Sequence, residues 1–320
     1  MTAQQRPPQP VSSKPMTSRP VPSASMLSQP WSRQSLDVSG HRFDDLRRWD
    51  ASLQLGFVAR DGVTRMRDMR HHGPLRVQRP FYPEGPNGSC HVYLLHPPGG
   101  LVSGDALRIE ARVESGGRTL LTTPAANKLY RADRNGVAWQ QDTLLQVDDD
   151  GLLEWLPQET IAFDGSRGCQ RTRIELSGSA RCLGWELLAL GRPASQLPFV
   201  SGRLEQHFTI VRDGMPLWIE RQPLDPTHRR FRGSWGQRGH GVQATLWAVG
   251  LEDGQAAVEW LRERLEAHQC WAVTWRHDVL LLRYLGDSRG DAWQLLEEAW
   301  HLLRPKLAQQ PACIPRIWRT

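Results

Sequence analysis

A mainly β fold is what this 320-residue sequence predicts. Short apolar or alternating runs recur from about residue 50, and Gly, Pro, Asp and Asn punctuate them. Helical spacing stands out in just two stretches, both late in the chain. Regular short strands with turn signals fit a sandwich, a barrel or a β-solenoid. No repeat of roughly 20–50 residues is visible, so a solenoid would have to be irregular.

Residues 1–36 hold seven prolines, four basic residues and no acidic one. Low hydrophobicity and frequent proline cannot offset the entropy of ordering, so this stretch reads as a disordered tail before a single β-rich domain over residues 37–320. A transit peptide would share the Arg, Ser and missing acid but needs an amphipathic pattern.

The strands follow. "SLQLGFVAR", "PLRVQR", "HVYLLH", "RTLLTT", "VAWQQDTLLQV", "GLLEWL", "TRIELSG", "LGWELLAL", "RLEQHFTIVR", "PLWIER" and "GVQATLWAVG" are each short enough for one. In "ALRIEARVE", Leu107, Ile109, Ala111 and Val113 share one face, and Arg108, Glu110, Arg112 and Glu114 the other. That alternation predicts an antiparallel strand with one wet face.

"GQAAVEWLRERLEAH" places Val258, Leu261 and Leu265 on one helical stripe. "SRGDAWQLLEEAWHLLRP" starts with the capping pattern Ser288–Asp291, continues through Trp293, Leu296, Trp300 and Leu303, and is expected to stop at Pro305. "WAVTW" and "VLLLRYL" between the two read as strands.

The composition narrows the function. A formal net charge of +6 favours acidic partners only weakly, because the arginines are spread along the chain. No window reaches about 18 uninterrupted apolar residues, and no apolar h-region follows the N-terminus, so neither a membrane span nor secretion is expected. Five cysteines without a CxxC predict reduced thiols in a cytoplasmic protein, not disulfides or structural zinc. The fourteen tryptophans suggest apolar surface kept for an interface.

Catalytic motifs are missing. There is no Walker A loop, no GxSxG and no HExxH. Capping accounts for Ser288 in "GDS". Cys90, His91 and His96 resemble metal ligands, but in an extended strand Cys90 and His96 stand about 20 Å apart and His91 points the other way. "THRRFRGSWGQRGHG" (227–241) mixes arginines with Phe231 and Trp235, which suits single-stranded nucleic acid or, more simply, a solvated loop. A nucleic-acid-binding β protein and an uncharacterised hydrolase are thus the competing readings.

"HPPGGLVSGD" (96–105) is the densest local pattern. Pro97-Pro98 imposes an extended lead-in, and Gly99-Gly100 permits positive φ or close approach of another backbone. It opens no helix and has no phosphate-cradle spacing.

Together with "GPLRVQRPFYPEG", "TTPAANKLYR", "WLPQETIAFDGS", "GRPASQ" and the closing "PRIWRT", this stretch resembles the UreD (UreH) family of urease accessory proteins over about residues 50–320. Asn127 stands where the family pattern more often has Thr. The resemblance implies an irregular β-helix-like stack with a few helices. It also implies a non-enzymatic maturation factor that binds apo-urease, UreF and the GTPase UreG in a heteromeric complex. No tightly bound cofactor is implied, only transient Ni²⁺, which an internal polar tunnel could pass toward the urease active site. Nucleic acid and membrane are not expected partners. The conduit or interface candidates are His96, Gly99, Gly100, Ser103, Asp105, Thr122, Thr123, Lys128, Arg131 and Glu159. Glu159 and Asp105 have a structural alternative, pairing with Lys128 or Arg131.

The proline-rich composition predicts that deleting residues 1–36 leaves urease activation in cells almost unchanged. Urease activity of the deletion strain checks it, and a large loss would make the tail a docking segment.

Overall fold

The computed structural model describes residues 47–266 and 270–319. The expected tail, residues 1–36, lies outside them.

The chain first forms a hairpin, β1 (Trp49–Arg60) and β2 (Val63–His72), and a short strand β3 (Arg76–Val77). It then winds as a coil through β4 (Cys90–Leu95), β5 (Gly100–Leu101) and β6 (Asp105–Val113). A second turn follows: β7 (Arg118–Thr122), β8 (Asn127–Leu129) and β9 (Trp139–Val147). A third comprises β10 (Leu152–Leu156), β11 (Thr160–Ala162) and β12 (Arg167–Leu176), and a fourth β13 (Arg181–Leu190) and β14 (Arg203–Arg212). Each turn lays one strand in each of two sheets, and β5, β8 and β11 line up in parallel at the corner.

One sheet has seven strands in the order β15-β14-β12-β9-β6-β1-β2, where β15 is Met215–Leu224. Strands β1, β6, β9, β12 and β14 are parallel, and β2 and β15 close the edges antiparallel. The second sheet runs β17-β18-β16-β13-β10-β7-β4-β3, with β16 (Val242–Val249), β17 (Trp271–Arg276) and β18 (Val279–Gly286) antiparallel. The fold is therefore a short, irregular β-solenoid extended by a hairpin at each end.

Strand β6 corrects one expectation. Its alternation does bury Leu107, Ile109, Ala111 and Val113, but its neighbours β1 and β9 are both parallel to it. One wet face is possible in a parallel sheet here because the coil returns each chain crossing through the opposite sheet and, among the described residues, puts no helix on the outer wall. Polar ladders cover that wall instead, such as Gln54 donating to Glu110 at 2.9 Å and Arg112 to Asp148 at 3.0 Å.

The second sheet is buried on both sides. In β13, Cys182, Leu188 and Leu190 face the first sheet, while Leu183, Trp185, Leu187 and Ala189 face the helices. This explains the continuous apolar run "LGWELLAL".

Helix α1 (Arg229–Arg232) is one turn, and α2 (Gly254–Arg264) and α3 (Arg289–Ala308) cover the second sheet. Asp253 and Ser288 cap α2 and α3, accepting from the amides of Ala256 at 2.9 Å and Asp291 at 3.1 Å. Pro305 does not stop α3, which continues to Ala308. The last turn is held from outside: Arg118 and Arg181 each donate to its terminal carbonyls, Ala308 and Leu307, at 3.0 Å. No described helix is long and apolar enough to cross a membrane.

The tryptophans mostly serve the core. Trp139, Trp155, Trp185, Trp247 and Trp300 are buried, while Trp49 and Trp235 are exposed. Trp185, Trp293, Trp300 and Trp318 form one aromatic cluster, with ring centroids 5.2–6.5 Å apart. This cluster docks the segment 315–319 through Trp318.

Arg304 of α3 is 1 % exposed and enters the sheet. It donates to Glu154 of β10 at 2.8 Å and to both carboxylate oxygens of Glu84 at 2.7 and 2.8 Å. Burial pushes Glu84 up, but hydrogen bonds from His91 and Arg304 outweigh it and hold the carboxyl below its ordinary range. Arg304→Leu strands two buried acids and is expected to cost about 3–5 kcal/mol, read by denaturant unfolding of the full chain. A loss below about 1 kcal/mol would mean the acids find other partners.

Candidate functional site

The two sheets do not meet on an evenly apolar seam. Register across the seven-stranded sheet sets inward residues in rows. One row runs Ala51, Leu107, Gln141, Gln170, Gln206 and Gln222 from β1 to β15. The next runs Leu53, Ile109, Thr143, Thr172, Phe208 and Glu220. The third, Leu55, Ala111, Leu145, Ile174, Ile210 and Trp218, is apolar throughout. From β9 onward the first two rows therefore turn mostly polar while the third keeps the sheets together.

Three cavities follow those polar rows. The first, about 120 Å³, is lined by Gln141, Thr143, Gln170, Thr172, Glu186 and Gln206, with exposed Gly99 and Ala125 at its rim. The second, about 40 Å³, shares Glu186 and Gln206 with it and adds Glu220, Gln222 and Gln243. The third, about 330 Å³, shares Gln222, Gln243, Ala244 and Thr245 with the second and is lined by Arg230, Trp235 and Gln237.

Side-chain amides connect them. Gln206 donates to Gln170 at 3.1 Å, and Gln243 donates to Gln206 and Gln222 at 2.7 Å each. Gln237 donates to Gln243, and Asn127 to Gln141 at 3.0 Å. Glutamine suits this interior because its amide pairs without bringing a charge out of water.

Two carboxylates punctuate the chain of amides. Glu220 receives both ends of the Arg283 guanidinium, one at 2.9 Å. Burial pushes Glu220 up, but the Arg283 hydrogen bonds and charge win and hold it below its ordinary range. Glu186 has no such cation. Its pKa is pushed up to about 7, chiefly by burial, with the Thr172 hydroxyl opposing the rise and the charge of Glu220 adding to it. The two acids thus sit in the same seam with opposite protonation tendencies.

The sequence-predicted residues divide. His96, Gly99 and Thr123 reach the first cavity. His96 Nδ1 is buried without a hydrogen-bond partner among the described residues, and burial holds the ring's pKa below its ordinary value. Gly99 has φ +74°, and a Cβ on Gly100 would stand 2.3 Å from the Lys128 carbonyl oxygen, so "HPPGGLVSGD" is the first corner of the coil.

The others serve local structure. Ser103 accepts from the Asp133 amide at 2.9 Å. Asp105 accepts from the Val102 amide at 2.8 Å, and burial raises its pKa. Thr122 accepts from the Trp318 indole at 2.8 Å, which ties the C-terminal segment to β7. Lys128 is exposed on β8, and Arg131 pairs with Asp164 at 2.6 Å. Glu159 pairs with Arg289 at 2.6 Å, so neither Glu159 nor Asp105 takes the Lys128 or Arg131 partner expected. Helix α3 brings Arg289 across to Glu159, a contact between residues 130 positions apart that spacing alone does not reveal.

The basic segment 227–241 folds over the end of the polar seam. Phe231 packs on the core between the sheets, and buried Gln237 reaches Gln243. Glu186, Glu220 and the glutamine row were missed from sequence. Their signal was a polar residue on the inward beat of a strand, as Gln170 and Thr172 precede Ile174 and Leu176 in "RGCQRTRIEL".

Fold and interior together define a class: a β-solenoid scaffold with a polar seam between its two sheets. The chain belongs to the UreD family, whose profile, described as UreD urease accessory protein, matches residues 50–319. It is 67 % identical to a urease accessory protein UreD from Marinobacter nauticus over 294 residues, 90 % of this chain and 99 % of the relative. It is also 65 % identical over 289 residues to that of Chromohalobacter salexigens, 88 % of this chain and 92 % of the relative. The UreD of Pseudoalteromonas translucida is 59 % identical over 299 residues, 92 % of this chain and 99 % of the relative.

Glu186 makes stability depend on pH. Its folded pKa of about 7 exceeds its ordinary 4.5, so the folded state holds the proton more tightly. The contribution is complete below about pH 4.5 and is lost as pH rises through about 7. Glu186→Gln is expected to remove that fall, which is at most about 1.4 kcal/mol per pH unit. Denaturant unfolding at several pH values checks it, and an unchanged pH profile would show that Glu186 is ionised in the folded state.

Proposed function

We propose that this chain is a cytoplasmic urease maturation factor. It binds apo-urease together with UreF and the GTPase UreG, and it passes Ni²⁺ along the polar seam between its sheets toward the urease active site. Membership of the UreD family supports the accessory role. The observation that carries the conduit is the row Gln141–Gln170–Gln206–Gln222, flanked by Glu186 and Glu220, across three adjoining cavities.

The chemistry suits passage better than storage. Amide, hydroxyl and carboxylate oxygens bind a borderline divalent ion more weakly than thiolates do. His96 supplies an imidazole nitrogen near the rim of the first cavity. Glu186 next offers a carboxylate that gives up its proton when a cation arrives. Glu220 has its charge already engaged by Arg283, so it offers the ion no free carboxylate. The Glu186 proton leaves to solvent, and no other step in this reading requires the chain to make or break a covalent bond.

The test is nickel content. Glu186→Gln and Gln206→Leu should each leave the complex with apo-urease intact in a pull-down but lower the nickel bound per urease several-fold. Normal nickel in both variants, with the complex intact, would exclude the seam as the route. Loss of the complex itself would assign these residues to folding or docking.

A further inference from the structure

A second donor set lies on the outer face of the seven-stranded sheet, away from the seam. Among the described residues, Cys169, Glu205 and His207 bring one ligand atom each to within 4.8 Å of one another. Cys169 on β12 is the register partner of Glu205 on β14, and His207 lies two residues further along β14 on the same face. All three are half-buried. The group is invisible in sequence because its members come from neighbouring turns of the coil.

The backbone register fixes which side chains share this face. Strand β12 is paired on both sides, by β9 and β14, and β14 by β12 and β15. Arg203 holds Glu205 Oε1 at 3.0 Å, which leaves Oε2 turned toward His207. The separation from His207 Nε2 to that oxygen is 3.6 Å, too long for a hydrogen bond. Arg171 and Arg221 are the register partners of His207 on its two sides; Arg221 is exposed, and Arg171 is engaged by Asp142 at 3.0 Å. The three donors therefore face a common point without satisfying one another.

Sulfur, imidazole nitrogen and one carboxylate oxygen are the donors that zinc-like ions take, at about 2.0–2.3 Å each. Side-chain rotation alone closes the set onto an ion. Thiolate and imidazole together discriminate against Mg²⁺ and Ca²⁺, which prefer oxygen alone. Three protein ligands also leave one tetrahedral position open for water or a further ligand.

We propose that Cys169, Glu205 and His207 form a surface site for a borderline divalent transition metal, with the fourth position open to solvent or to a ligand from a partner. Binding releases the Cys169 thiol proton to solvent as the thiolate forms. The site is separate from the interior seam and does not depend on the conduit reading.

Titration of the purified full chain with Co²⁺ tests it. One equivalent should produce thiolate-to-metal charge-transfer absorption. Cys169→Ser should abolish the band, and His207→Ala should weaken binding by at least about tenfold. Cys313→Ser should leave it unchanged. A second measurement needs no variant: Zn²⁺ should slow alkylation of Cys169 several-fold, followed by mass spectrometry, while Mg²⁺ does not. A band that survives Cys169→Ser overturns the proposal. So does wild-type protein that shows neither the band nor protection of Cys169.

Discussion

The guanidinium of Arg304 is the contact on which the rest of the structure converges. It leaves the last long helix, enters the covered face of the second sheet, and finds Glu154 from the third coil and Glu84 from the segment before the first. Trp300, one turn earlier, donates to the same Glu154 at 2.8 Å, and Ser89 and His91 complete the acids' shell. A buried ion pair gains little over apolar packing in raw stability. What this one adds is position: charge left unmatched in a dry layer is costly, so α3 has a single acceptable seat. That seat in turn places Arg289 against Glu159 and brings the C-terminal Trp318 onto Thr122.

Between the sheets the opposite strategy holds. The seam is polar but nearly uncharged, because glutamines satisfy one another in a register that the parallel coil repeats from strand to strand. From β9 onward each turn of the coil adds one amide to the row at the cost of one apolar contact. The third row of Leu145, Ile174 and Ile210 keeps the sheets bound where the first two rows do not. Antiparallel β2 and β15 close the two edges, so the coil does not end on strands that another turn would extend.

Much of this was legible. Alternation marked the strands, "HPPGGLVSGD" was readable as a shaped corner, and Ser288 as a cap. The direction of β6 was not, because one-sided burial looks the same in parallel and antiparallel pairs, and only the path of the chain between strands decides. The extent of α3 past Pro305 was not, since its last turn is held by Arg118 and Arg181 from distant strands. The site was legible in part. His96, Gly99 and Thr123 lay in recognisable motifs, but Glu186 sits in the apolar run of β13 and reads there as an interruption. Its role depends on Thr172 and Gln206, which arrive from other turns of the coil.

The order in which this chain leaves the ribosome gives the Arg304–Glu84 contact a further meaning. The two residues are 220 positions apart, and α3 follows every described strand in the chain. Until it emerges, helix-side residues of β10 and β13 such as Leu152, Leu156, Leu183 and Trp185 lack the helix that covers them. A nascent polypeptide in that state is a substrate for holding chaperones and a hazard at high expression. Slow translation of the final segment would lengthen the exposure, whereas supplying the C-terminal helix early, as in a circular permutant, would shorten it.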